Sequence, residues 1–231
     1  MSEIMEKSYN FKEMTNYVLD VIRASRTPFI WGRPGIGKSS LAREVTMLLA
    51  AELKTDVKFF TLDAILLQPT DYAIAVPNHE TRMVELYKTG YLPQHGPAVV
   101  CIEDAPHAKL YQMAPLMQIV FDHRIGPLHF DPNVWFIVTG NREEDLAGVN
   151  PLPSPLNNRM FHYTMDCDEE EWRTWAKIAG LDSRISAFIH AFPQHFCQSP
   201  KEGVKAWPTP RSWHMLSDVI KNQKDEKVLG T

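Results

Sequence analysis

Apolar residues along the chain alternate between two rhythms. Behind Asn10 and Glu13, a helix-start pair, Phe11, Met14, Val18, Val21 and Ile22 recur three or four apart, which predicts a helix ending near Ser25. A short continuous apolar run over 27–31 predicts a buried strand. From Lys38 the helical spacing returns, with Leu41, Val45, Leu48 and Leu49 on one face. Residues 57–62 form a second strand-like run, 98–103 a third, 134–139 a fourth and 161–165 a fifth. Leu110, Ala114, Met117 and Val120 or Phe121 place a helix over 107–122. Two hairpins are expected, one with 76–77 and 83–86 as its arms around 78–80, the other over 125–130 turning at Gly126-Pro127.

Strands alternating with helices predict an α/β fold with a parallel sheet covered on both faces. The pattern changes after residue 165. Asp168 with Glu171 marks a helix start running to Gly180, a second helix spans 182–192, and Thr209 followed by Pro210 opens a third that reaches Asn222. The expected organisation is therefore a core over 1–165 and a small all-helical lid over 166–231. Trp172, Trp175, Trp207 and Trp213 fall in the lid and are expected to pack its interior.

Composition narrows the picture. At 231 residues and 44% hydrophobic, the chain can bury a sizeable core, and a net charge of −4 excludes a strongly basic domain. Cys101, Cys167 and Cys197 are far apart and odd in number, which argues against a disulfide framework or zinc ribbon and for a reducing cytoplasm. His190 and His195 flank Phe192-Pro193 at a spacing poorly suited to a metal. The apolar runs are too short to cross a bilayer, and the polar start of the chain is not a secretory signal.

The chemistry concentrates in five short motifs. GRPGIGKS, residues 32–39, lies between a predicted strand and a predicted helix, the setting of a phosphate-binding loop. Its members Gly32, Arg33, Pro34, Gly35, Ile36, Gly37, Lys38 and Ser39, with Ser40 next, would wrap backbone N–H groups and a helix N-terminus around the phosphates of ATP. Lys38 would reach the β- and γ-phosphates, and the Ser39 hydroxyl would bind Mg²⁺. VVCIED ends a strand in Glu103 and Asp104, one to hold Mg²⁺ and the other to polarise water. FIVTGN ends a strand in Thr139 and Asn141, which could orient that water. Arg159 in NNR and Arg211 in PTPRSW read as surface arginines when taken alone.

In that order, the motifs resemble those of the AAA+ ATPases, and more narrowly the MoxR-like branch, over about residues 10–222. The stretch QPTDYAIAVP, 68–77, resembles the segment before that branch's helix-2 insert. The resemblance implies an ATP hydrolase. Lys38 and Ser39 take the Walker A positions, Glu103 and Asp104 Walker B, Asn141 sensor 1, Arg159 the arginine finger and Arg211 sensor 2. Catalytic roles thus fall to Glu103, Asp104, Asn141, Arg159 and Arg211, and Mg²⁺ ligation to Ser39, Glu103 and Asp104. The finger implies a homo-oligomer, commonly a ring of six. The branch implies chaperone-like remodelling of a client beside a von Willebrand factor A-type partner.

The family's Walker B order is Asp then Glu, and here it is reversed. Asp104 would carry the base about an ångström short, a misplacement able to cost on the order of 100-fold in rate. Two other readings follow. One is a DNA-associated motor or loader, although 76–89 balances Arg82 and Lys88 against Glu80 and Glu85. The other is a slowly hydrolysing, nucleotide-gated scaffold.

Overall fold

The structure, a computed structural model, describes residues 7–145, 148–200 and 203–223. Its strands are β1 (Ser8–Tyr9), β2 (Pro28–Trp31), β3 (Lys58–Asp63), β4 (Ala73–Asn78), β5 (Met83–Lys88), β6 (Ala98–Glu103), β7 (Arg124–Ile125), β8 (Leu128–His129), β9 (Val134–Gly140) and β10 (Phe161–Met165). Its helices are α1 (Phe11–Arg23), α2 (Lys38–Leu53), α3 (Leu110–Asp122), α4 (Ser154–Asn157), α5 (Glu169–Ile178), α6 (Ser183–Ala191) and α7 (Pro210–Asn222).

Six strands form one parallel sheet in the order β1-β10-β2-β9-β6-β3. Alternate residues of β6 feed the two faces: Val100 and Ile102 pack with Met113, Leu116 and Ile119 of α3, while Val99 and Cys101 pack with Val18 of α1 and Leu41 and Val45 of α2. Burial on both faces is why these strands read as unbroken apolar runs. The two hairpins form as expected, β4 with β5 and β7 with β8. The edge strand β1 was not expected, since two residues carry no periodicity. It is fixed by parallel pairing, Ser8 to Thr164 and Tyr9 to Met165.

Three local expectations are corrected. Residues 105–107 form a 3-10 turn, and α3 begins at Leu110, which is 72% exposed. The buried face of α3 is instead Gln112, Met113, Leu116, Ile119 and Val120. The Gln112 amide turns inward because it donates to Ile65 O at 2.7 Å and Leu67 O at 3.0 Å, so a polar residue takes a core position at no hydrogen-bonding loss. In α2, Leu48 is exposed, and Ala42 and Thr46 share the buried face with Leu41, Val45 and Leu49. Cys167 and Cys197, expected to be independent, are joined as a disulfide. Two partly buried thiols meet because the chain re-enters the lid core at Phe196 beside the end of β10.

Helices α5, α6 and α7 form the C-terminal lid around Ile185, Ile189 and Phe196, with Trp172 and Trp213 against them. Trp213 Nε1 donates to Phe196 O at 2.9 Å, which satisfies its indole. No helix among the described residues is long and apolar enough to cross a membrane.

Candidate functional site

The parallel strands β2, β6 and β9 end on the same side of the sheet, and their carboxyl ends open on a cavity of about 430 Å³ roofed by the lid. Pro34, Gly35, Ile36, Gly37, Lys38, Ser39 and Ser40 line it from the loop, Glu103 and Asp104 from the end of β6, Thr139 and Asn141 from β9, and Arg211 from α7. Ligand sites of open α/β sheets lie in this position.

Local backbone explains the shape of the loop. Gly37 precedes α2 with φ 108°, and Gly35 has φ 81°, both left-handed and open to glycine at little cost. A Cβ on Gly35 would also lie 2.9 Å from Thr209 Oγ1, so the tip of the loop is pressed against the lid. There the Arg211 N–H donates to Gly35 O at 3.1 Å. The first turn of α7 therefore rests directly on the loop's main chain.

Lys38 occupies the centre. Its Nζ donates to Gly32 O at 2.7 Å, Arg33 O at 2.9 Å and Asn141 Oδ1 at 2.7 Å, which uses all three ammonium protons. Burial brings its pKa from 10.5 down to about 8, with Asp104 and Asp145 opposing the shift and the Arg211 and Arg142 charges adding to it. Asn141 Nδ2 in turn faces Asp104 Oδ1 at 3.4 Å. Lys38, Asn141 and Asp104 thus form one polar chain across the cavity.

The reversed acidic pair has a structural counterpart. Glu103 is the last residue of β6, paired with Asp63 of β3. Asp104 follows in the left-handed region, φ 53°, and opens the turn Ala105–His107, whose His107 N–H donates to Asp104 O at 2.9 Å. Of the two carboxylates, it is Asp104 that faces Asn141.

Three sequence-predicted residues, Gly32, Arg33 and Arg159, do not line the cavity. Arg33 turns to the base of the lid, where its guanidinium lies 3.2 Å from Asp166 and donates to Cys197 Sγ at 3.9 Å. Arg159 is exposed, and its guanidinium stacks 4.9 Å from the Phe121 ring centroid.

The cavity also has a wall that sequence motifs do not announce: Phe11, Trp172, Trp175, Phe196 and His214. Trp172 and Trp175 were expected only to pack the lid. Glu171 was expected to cap its own helix. Asp168 does accept from Glu171 N at 2.8 Å, but the Glu171 carboxylate reaches the core and accepts from Phe11 N at 2.9 Å and Lys12 N at 2.8 Å. It thereby caps α1 from the lid. Arg142 and Asp145 add an ion pair of 3.0 Å with Asp145 1% exposed, close enough in charge to act on Lys38. No spacing rule would have singled them out.

The sequence matches no family model and no curated protein. Solved structures do match. An inferred ATPase from Cytophaga hutchinsonii aligns over 93% of this chain and 59% of its own, at 14% identity and a TM-score of 0.53. A mutant of Thermotoga maritima RuvB aligns over 92% of this chain and 62% of its own, at 16% identity and a TM-score of 0.57. This is the AAA+ P-loop fold. The chain spans 59% and 62% of the lengths of these two structures.

Proposed function

We propose that the chain is an AAA+ ATPase of the MoxR-like kind, which binds ATP with Mg²⁺ and hydrolyses it to remodel or mature a partner protein. The observation that carries this reading is the chain Lys38–Asn141–Asp104 inside a cavity closed by Arg211. A lysine, a polar strand end and a carboxylate converge where a glycine loop leads into α2. On this reading Lys38 leaves the carbonyls of Gly32 and Arg33 for phosphate oxygens, Asn141 and Asp104 orient and deprotonate the attacking water, and Arg211 carries phosphate charge to the lid. Ser39, Glu103 and Asp104 present only oxygen donors to the cavity, a set that fits Mg²⁺. They would hold the ion, which when bound neutralises phosphate charge. Arg159, outside the cavity and exposed, would complete the site of a neighbouring copy, giving a homo-oligomer such as a hexameric ring. The division into a core over 1–165 and a lid over 166–231, a von Willebrand factor A-type partner and a cytoplasmic location belong to the same reading.

The test is phosphate release alongside ATP binding for wild type and the Lys38→Ala, Glu103→Ala and Asp104→Ala variants. Lys38→Ala should lose binding. Asp104→Ala should keep binding and lose turnover by about 100-fold or more. Full turnover in both carboxylate variants would overturn the assignment. The backbone turn at Asp104 together with its short side chain supports a second reading, a nucleotide-gated scaffold. That reading expects ATP-dependent assembly with no phosphate release from wild type.

A further inference from the structure

We propose that the Cys167–Cys197 pair is a reversible redox clamp that governs how readily the lid opens over the cavity. This rests on the nucleotide reading of that cavity. Cys167 lies between the end of β10 at Met165 and the helix cap Asp168, the point where the sheet passes into the lid. Cys197 follows Phe196, which is buried in the lid core and also lines the cavity. The bond closes a segment of sequence separation 30 that contains all of α5 and α6. That segment carries Glu171, Trp172 and Trp175 on the cavity wall. With the bond formed, the far end of α6 is fastened to the root of the lid, and α5 cannot swing from the loop as a free arm. With the bond open, the lid still meets the core through non-covalent contacts that include the Glu171 cap on α1, the Arg33–Asp166 pair and, from α7, the Arg211 N–H on Gly35.

The surroundings suit exchange. Both cysteines are partly exposed, and Cys167 lines the cavity. Cys101 takes no part: it is fully buried in β6, where burial pushes its thiol up, away from the reactive thiolate. A small dithiol attacks Cys167 Sγ as its thiolate, the S–S bond breaks, and Cys197 leaves as a thiolate beside the Arg33 guanidinium. The second thiol of the reagent then displaces the Cys167 mixed disulfide. The products are two protein thiols and one cyclic disulfide, with two electrons and two protons passed to the protein. A small disulfide such as oxidised glutathione reverses the step and is itself reduced to two thiols. A pair opened and closed in this way is compatible with a reducing compartment, where lasting disulfides are rare.

The experiment uses the whole chain, oxidised with glutathione disulfide or reduced with dithiothreitol. Thiol trapping and peptide mass mapping follow the bond. Stopped-flow release of a fluorescent ATP analogue and hydrogen exchange over 168–196 follow the lid. Reduction should speed release about fivefold or more and raise exchange in that segment. Cys197→Ser should behave as reduced protein in both buffers. Free Cys167 and Cys197 after oxidation would overturn the clamp, as would equal release and exchange in the two states. A protein that binds no analogue in either state but shows redox-dependent exchange keeps the clamp and overturns the nucleotide reading.

Discussion

Lys38 is a cation in a place from which water is nearly excluded, 8% exposed, with every proton committed to a carbonyl or amide oxygen. Its folded pKa, about 8, lies below the ordinary 10.5, so the unfolded chain holds the proton more tightly. The contribution of this group to stability is therefore present above 10.5 and is lost as pH falls through about 8. A polyphosphate has the opposite preference, because it favours the charged lysine. Binding above pH 8 must then take up a proton, and ATP affinity should be about tenfold weaker at pH 9 than at pH 7. Isothermal titration in buffers of different ionisation enthalpy measures both the affinity and the proton. A flat profile would show that phosphate does not meet Lys38. This residue was legible in the sequence because eight consecutive positions specify it. Its partner Asn141 was legible only through the order of motifs in which it stands, since a polar residue ending an apolar strand is by itself an ordinary exit to a loop. Phe11, Trp172, Trp175 and His214 were not, since they come to the cavity from segments that share no spacing and meet only once α5 and α7 fold over the loop.

At the scale of elements, sequence periodicity located the large strands and helices to within a few residues, but it mis-phased α3. Periodicity assumes that polar side chains face water, and Gln112 breaks that rule by finding two carbonyls indoors. Glu171 is the parallel case. Its position three residues after Asp168 signals a local cap, yet its carboxylate serves the first turn of α1, a whole core away in sequence. A negative charge at a helix N-terminus is stabilising, and here it also joins lid to core. Glu171→Ala should cost about 1 kcal/mol in chemical denaturation, the lower part of the range for a capping contact because the carboxylate is partly exposed. It should also loosen the aromatic wall. Glu171→Gln, which keeps an acceptor, should recover part of the stability. Equal stability of all three proteins would mean that the lid does not rely on this cap.

For the whole molecule, the central question is which functions one copy can complete. The cavity gathers loop, strand ends and Arg211 within a single chain, whereas Arg159 is exposed on Phe121. If Arg159 serves a neighbouring copy as proposed, Arg159→Ala should leave ATP binding unchanged and reduce turnover by about 1,000-fold or more, the loss of a charge supplied in trans. On the same proposal, mixing it with Asp104→Ala protein should restore part of the rate, since each copy would supply what its neighbour lacks. No recovery across mixing ratios would place Arg159 outside catalysis. The link between α7 and the loop has a different character. It joins two main-chain groups, the amide of residue 211 and the carbonyl of Gly35. A side-chain screen at 211 would therefore strip the charge and leave the mechanical connection untouched. Arg211→Ala and Arg211→Lys should still transmit motion. Arg211→Pro, tolerated in a first helical turn but lacking the amide hydrogen, would cut it. What α7 conveys through this contact is written into the peptide backbone, where no replacement at 211 short of proline can erase it.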